Sequence, residues 1–159
     1  MNRVVVLGRG GAGKSTLAVR LGEVLSLPVV ELDKRFWSAG LSPTPKEEWE
    51  VVQRRLVDAP QWVLDGDLGP YDVLDVRLRA ADTVVVLDFA LWRCAWRALR
   101  RSREDLTFWR WVLTYRCRAL PLVMDAIAEH AGTAELHVLK NPDGVERFLA
   151  TANGATPRP

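Results

Sequence analysis

Gly8-Arg9-Gly10-Gly11-Ala12-Gly13-Lys14-Ser15 fits the pattern GxxxxGK[ST], the spacing of glycines, lysine and hydroxyl that holds a polyphosphate. Glycines let the backbone turn successive N–H groups inward around an anion. A helix beginning near Lys14 adds the positive end of its dipole. Lys14 then reaches the β- and γ-phosphates, Ser15 offers its hydroxyl to Mg2+, and Thr16 supports the loop. Gly8, Gly10, Gly11, Ala12, Gly13, Lys14, Ser15 and Thr16 are therefore the predicted nucleotide-binding residues. Magnesium takes oxygen ligands, few of them from protein. Asp33, Asp65 and Asp88 each close a predicted strand. Carboxyl ends of parallel strands point into the ligand crevice, so the three are candidates, as a group, for metal or acceptor chemistry.

The elements that must position these residues are legible from periodicity. Val4–Leu7 is a short β-branched run bounded by glycine and reads as a buried strand. Leu17, Leu21, Val24 and Leu25 mark the apolar face of the helix after it. Residues 29–32 read as a second strand closing on Asp33, 62–64 as a third, 84–87 as a fourth and 136–139 as a fifth. Residues 36–45 form a loop. Thr44-Pro45-Lys46-Glu47 predicts a helix start with Thr44 as cap, Pro45 in the first helical position and Glu47 closing a capping box. Trp49, Val52 and Leu56 face inward from that helix. Tyr71, Leu74 and Leu78 suggest a short helix. Further helices cover 91–101 and part of 106–130, where Pro121 is expected to kink or split the second. Asn141-Pro142 opens a last helix carrying Val145, Phe148 and Leu149, and 155–159 are a tail. Strands alternating with helices predict an α/β fold with right-handed βαβ units and a parallel sheet covered on both faces.

The chain has 159 residues, 48% apolar and 26% charged, which suits one globular domain over 1–159 and excludes a disordered chain. Cys94 and Cys117 are the only cysteines and make neither a disulfide framework nor a zinc pattern. No run approaches the roughly 18 apolar residues of a membrane span. The run between Arg3 and Arg9 is too short for a signal-peptide core, so a cytoplasmic location and no membrane partner are expected. His130 and His137 form no metal pair.

Net charge is +2 but unevenly spread: residues 93–118 carry eight arginines against Glu104 and Asp105. Such density predicts an anionic partner or a solvated helix face. Arg93, Arg97, Arg100 and Arg101 fall at helical spacing on one face, and a mobile helix bearing them would close over phosphates. Trp92, Trp96 and Leu99 form a second stripe, expected to pack inward, with base stacking as the other use of aromatics among arginines. Phe36-Trp37 either line an acceptor pocket or plug the helix beneath.

The segments GRGGAGKST, ELDKRFW, WVLDGD and DTVVVLDFALWRCAWRALRRS resemble adenylate kinase-related P-loop proteins, most closely the group called DNA topology modulation proteins. The likeness spans roughly 1–101 and returns at 135–149. It implies a three-layer α/β/α P-loop NTPase fold with a five-stranded parallel sheet ordered 2-3-1-4-5. It implies that Asp65 holds magnesium through water and that Arg97 and Arg101 contact adenine and phosphates at the base of a lid, about 102–118. It places Asn141 in the loop flanking adenine. Two departures stand out. Asp67-Leu68-Gly69-Pro70 replaces the arginine-bearing continuation of adenylate kinases, and Leu32–Trp37 replaces their entry to the monophosphate site.

The function expected is that of an ATP- and Mg2+-dependent P-loop protein moving the γ-phosphoryl group to a small acceptor other than AMP, or to water. Lys14, Asp33, Arg97 and Arg101 are the expected catalytic residues, and Ser15 and Asp65 the metal ligands. The other expectation is a nucleotide-dependent regulator that contacts nucleic acid, for which the arginine-rich stretch is the warrant.

Overall fold

The computed structural model describes residues 1–37, 43–101 and 106–154. Its strands are β1 (Arg3–Gly8), β2 (Val29–Glu31), β3 (Trp62–Asp65), β4 (Thr83–Leu87) and β5 (Glu135–Leu139). They form one all-parallel sheet in the order β2-β3-β1-β4-β5. Val6 lies opposite Asp65 and Gly8 opposite Leu87, so the carboxyl ends of the three central strands reach one edge together. The helices are α1 (Lys14–Leu25), α2 (Leu32–Phe36), α3 (Lys46–Val57), α4 (Leu74–Ala80), α5 (Leu91–Arg101), α6 (Leu106–His130) and α7 (Pro142–Gly154). A single 3-10 turn, Gly69–Tyr71, precedes α4.

Side chains alternate across a strand, so a strand apolar at every position feeds two cores. Val4, Val6, Val63 and Val85 pack with Leu17 and Leu21 of α1 and Phe148 of α7. Val5, Leu7, Leu64 and Val84 pack on the opposite face with Trp49 of α3, Leu78 of α4 and Ile127 of α6. The result is the three-layer α/β/α arrangement. Each fully buried aliphatic side chain contributes about 1.5–3 kcal/mol, and β1 supplies four.

Several local expectations are corrected. The second strand ends at Glu31, and Leu32–Phe36 turns as α2, because Leu32 and Phe36, four apart, are both fully buried on one face. Thr44 does not cap α3. Its hydroxyl donates to the Phe36 carbonyl at 2.5 Å, its N–H reaches the same oxygen at 3.2 Å, and Pro45 holds the cap position. Pro121 does not split α6, since both Pro121 and Cys117 are exposed and water can satisfy the carbonyl the proline frees. Trp92, Trp96 and Leu99 do not pack inward. They are 67%, 57% and 65% exposed, with the Arg93 and Arg100 guanidinium groups 5.2 and 5.1 Å from the Trp92 and Trp96 ring centres. Cys94 and Ala98 take the buried side of α5 instead.

Candidate active site

The loop between β1 and α1 is built from its glycines outward. Gly13 occupies the cap position of α1 at φ 99°, and Gly11 sits at φ 77°, left-handed backbone that glycine adopts without strain. Both are also closely covered. A Cβ on Gly11 would lie 2.3 Å from the Cys94 carbonyl oxygen, and one on Gly13 would lie 3.0 Å from a guanidinium nitrogen of Arg97. No side chain caps α1, and its first turn carries no acidic residue. The orphan N–H groups of that turn are therefore available to an anion.

A cleft of about 450 Å³ opens on this loop. Gly10, Gly11, Gly13, Lys14, Ser15 and Thr16 line it from the phosphate loop. Asp33, Trp37, Asp67 and Trp111 complete the lining, and Arg97 reaches in from α5. The structure thus brings Lys14, Ser15, Asp33 and Arg97 to one cavity. Gly8 and Ala12 are buried in the backbone of the loop behind it.

Asp65, at the end of β3, is 2% exposed. Burial pushes its carboxyl above the usual range, against a hydrogen bond from Ser15 and the charge of Lys14. Its Oδ1 has no hydrogen-bond partner. A buried carboxylate oxygen left open beside a serine hydroxyl fits Mg2+ held mostly by water and phosphate. Among the described residues, no cluster of three or more His, Cys, Asp or Glu forms a cage of its own.

Asp33, in the first turn of α2, keeps solvent access through the cleft while protein crowds its other sides. That partial burial raises its carboxyl above the usual range; the charges of Asp67 and Asp72 add to the rise, and those of Lys14 and Arg77 oppose it. Asp67 is fixed by two neutral donors, the Tyr115 hydroxyl at 2.8 Å and the Gly69 N–H at 3.2 Å. Burial first, and then Asp67, push the Tyr115 phenol far above its ordinary value, so it remains a donor.

A buried network stands behind this loop. Arg77 is fully buried and grips Asp72 with two hydrogen bonds of 2.6 and 2.7 Å. It also donates to Gln53 at 3.1 Å and to the Gly66 carbonyl at 2.8 Å. That last bond holds the turn between Asp65 and Asp67. Despite its burial, Asp72 has its carboxyl held below the usual range, with the Arg77 charge and hydrogen bonds outweighing desolvation.

Other predicted residues are placed elsewhere. Asp88 pairs with Arg116 of α6 at 2.8 Å and does not line the cleft. Asn141 turns its side-chain oxygen to the Gly144 N–H at 2.8 Å and caps α7. A smaller crevice of about 150 Å³ lies beside it, walled by Ala12, Thr16, Phe89, Arg97, Pro142 and Val145. The Arg20–Glu146 pair bridges α1 and α7 at 2.6 Å on the rim. Arg101 ends α5, and its side chain lies outside the described residues, as do 102–105 of the expected lid and the 155–159 tail. Residues 106–118 of that lid form the first half of α6, where Val112 and Tyr115 are buried.

Asp67, Trp111, Tyr115 and Arg9 escaped the reading of the sequence as site residues. Arg9 is 2% exposed, with its guanidinium 5.7 Å from the centre of the Tyr115 ring. Trp111 and Tyr115 stand four apart on α6 and pack edge to face at 5.3 Å, a spacing that the sequence did carry.

The chain matches no protein-family model and no curated protein sequence. It is similar in structure to a sugar kinase from Janibacter sp. HTCC2649, at 18% identity over 99% of both chains and a TM-score of 0.62. It is similar to shikimate kinase from Acinetobacter baumannii in complex with shikimate, at 16% identity over 95% of this chain and 90% of that one, with a TM-score of 0.67. Deoxyadenosine kinase from M. mycoides with bound dCTP aligns at 15% identity over 95% and 98%, with a TM-score of 0.53. The five-stranded parallel sheet in the order 2-3-1-4-5, covered by helices on both faces, is the α/β fold of the P-loop kinases.

Proposed function

We propose that the protein transfers the γ-phosphoryl group of ATP to a hydroxyl of a small molecule. The observation that carries this reading is that one cleft is lined by the Gly10–Thr16 loop, by Asp33 and by Arg97, whose guanidinium lies beside Gly13. Loop amides and Lys14 hold the phosphates. Ser15, and Asp65 through water, hold Mg2+, which when bound neutralises phosphate charge. The crevice between Phe89, Pro142 and Val145 takes the base. Asp33 orients the acceptor hydroxyl and accepts its proton as the oxygen bonds to the γ-phosphorus. The bond from that phosphorus to the β–γ bridging oxygen breaks, and ADP leaves. Arg97, already beside Gly13, and Arg101 balance the charge that spreads over the transferring group. Resemblance to adenylate kinases and kinase neighbours of the same fold support the same chemistry. Without an acceptor, water takes the phosphoryl group slowly.

The test is ADP release from ATP and Mg2+ with a panel of hydroxyl acceptors, for wild type and Lys14→Ala. Acceptor-stimulated release that the substitution abolishes is expected; full turnover in Lys14→Ala would overturn the proposal.

A second reading is favoured by the outer face of α5, where exposed Trp92 and Trp96 carry stacked arginines. On that reading the protein is a nucleotide-dependent regulator that stacks unpaired bases there. Binding of single-stranded DNA that weakens steeply with salt would favour it, and no binding at low salt would dismiss it.

A further inference from the structure

The two edges of the sheet are guarded unequally. β2, at one edge, is three residues long, follows Pro28 and closes on Glu31, which Lys34 binds at 2.6 Å. Short length, proline and charge are the devices by which edge strands refuse further pairing. β5, at the other edge, is five residues long, and its outward positions carry none of them. Those positions follow from the pairing with β4. The Glu135 N–H donates to the Asp82 carbonyl at 2.9 Å, and the Asp88 N–H donates to the Leu139 carbonyl at 3.0 Å. Alternate residues of a strand turn their N–H and C=O groups to the same side, so Glu135, His137 and Leu139 bond to β4, whereas Leu136 and Val138 turn theirs outward. Among the described residues no strand meets them.

The side chains of the same two residues are apolar and open. Leu136 lies beside Val84 and Val138 beside Val86 in the register of β4 and β5. Val84 and Val86 are fully buried, yet Leu136 is 40% and Val138 39% exposed. The core on this face of the sheet therefore runs out uncovered onto β5. On the opposite face His137 packs against the Phe148 ring of α7, with ring centres 4.7 Å apart.

We infer that β5 pairs antiparallel with β5 of a second copy of this chain, across a two-fold axis at His137, joining two five-stranded sheets into one. Leu136 then faces Val138 of the second copy, and Val138 faces its Leu136. Each of these pairs exchanges two backbone hydrogen bonds, so the outward N–H and C=O groups of both strands are all satisfied. Leucine meets valine on the uncovered face at each pair. Sliding the register by two residues loses this fit. One slide sets Val138 against Ala134, whose N–H already donates to the Ala131 carbonyl at 2.9 Å, and the other sets Leu136 against the charged Lys140. In the two-fold register Glu135 lies opposite Leu139 of the second copy, next to its Lys140, so opposite charges at the two ends of the strand complement each other when the strands run antiparallel. The 155–159 tail is a poor occupant of this edge, because Pro157 and Pro159 have no N–H to donate. The contact uses the same patch on both chains and closes at two. The second copy's strands end at the opposite side of the joined sheet, so both clefts stay open, and the inference is independent of the phosphotransfer reading.

Sedimentation equilibrium of the full chain reads the assembly. A reversible dimer is expected at micromolar concentrations, as suits a small interface; a monomer at every concentration up to about 1 mM overturns the inference. Val138→Lys sets an unpaired ammonium against Leu136 of the second copy and is expected to raise the dimer Kd about tenfold or more, with circular dichroism unchanged. An unchanged Kd in the folded variant overturns the inference. Crosslinking reads the register and stands without that variant. At the axis His137 faces His137 of the second copy as a pair without mutual hydrogen bonds, with Cα atoms about 4.5 Å apart, within reach of a disulfide. Cys117 is exposed and is first removed as Cys117→Ser. In that background His137→Cys is expected to join two chains under mild oxidation. Glu135→Cys, about 14 Å from its own counterpart, is expected not to. Crosslinking at position 135 in place of 137, or at neither, overturns the inference.

Discussion

The Tyr115 hydroxyl donates to Asp67 at 2.8 Å, tying the middle of α6 to the turn that follows β3. The next residue, Arg116, pairs with Asp88 at 2.8 Å just after β4. Two adjacent residues of one helix thus hold two strand ends. Tyr115→Phe removes the first tie and leaves Asp67 with the Gly69 N–H alone. A loss of about 1 kcal/mol is expected, seen as a Tm about 2–4 °C lower in a chain this size. If Asp33 holds the acceptor as proposed, the acceptor KM should rise more than that of ATP, since Asp67 lines the same cleft and its charge acts on Asp33; equal rises would count against that role.

Asp33 must be ionised to accept a proton, and partial burial raises its pKa. The acid limb of kcat/KM should therefore have its midpoint above the ordinary aspartate value of about 3.9, with activity rising as pH rises. Asp33→Asn should remove that limb and lower kcat by about 10²–10⁴-fold. A pH profile still bearing the limb in the variant would remove Asp33 from the base role.

Asp65 also has a raised pKa, so its protonated form is the one the fold favours. Its contribution to stability is full below the unfolded value of about 3.9 and is lost as pH rises through the folded one. Metal binding requires the ionised form. The thermal stabilisation given by Mg2+ with nucleotide should therefore grow as pH rises across that window. Asp65→Asn should flatten this growth, which differential scanning calorimetry at a series of pH values would show.

Arg77 and Asp72 form the buried pair behind the site. Arg77→Met leaves the Asp72 carboxylate buried without its partner and should cost about 3–5 kcal/mol. Urea unfolding measures this, and Arg77→Met with Asp72→Leu should recover part of the loss. The lowered pKa of Asp72 acts in the opposite sense to Asp65. Its stabilisation is present above the unfolded carboxylate value and disappears as pH falls through the folded one. Wild type should therefore show a destabilisation at acid pH that the double variant lacks.

Trp92→Ala and Trp96→Ala should each change stability by no more than about 0.5 kcal/mol, the usual range for surface positions. Trp49→Ala, which empties a fully buried site, should cost about 3–5 kcal/mol. Iodide should quench the fluorescence of Trp92 and Trp96 and spare that of Trp49.

What the sequence revealed was local and what it concealed was distant. The phosphate loop announces itself because glycine spacing, a preceding apolar strand and a following amphipathic helix all lie within about two dozen residues. Strand order and the singling out of Arg97 came from resemblance, whereas Asp33 reads as the end of a strand that in the structure stops at Glu31. The contact of Tyr115 with Asp67 spans 48 residues of chain and leaves no periodic trace. Periodicity likewise put Trp92, Trp96 and Leu99 on one face but held no information about whether anything covers it. Thr44 failed as a cap because a tertiary acceptor, the Phe36 carbonyl, competed for its hydroxyl.

The close seating of Gly11 under the Cys94 carbonyl fixes how near α5 can come. The same missing Cβ would stand 3.4 Å from Ala98, so two successive turns of α5 rest directly on the phosphate loop. Those turns leave no room for α5 to settle further onto the loop, and Arg97 lies between their contacts. The helix that walls the phosphate loop thus also sets a guanidinium against Gly13, so one packing contact fixes both the shape of the loop and the charge beside it.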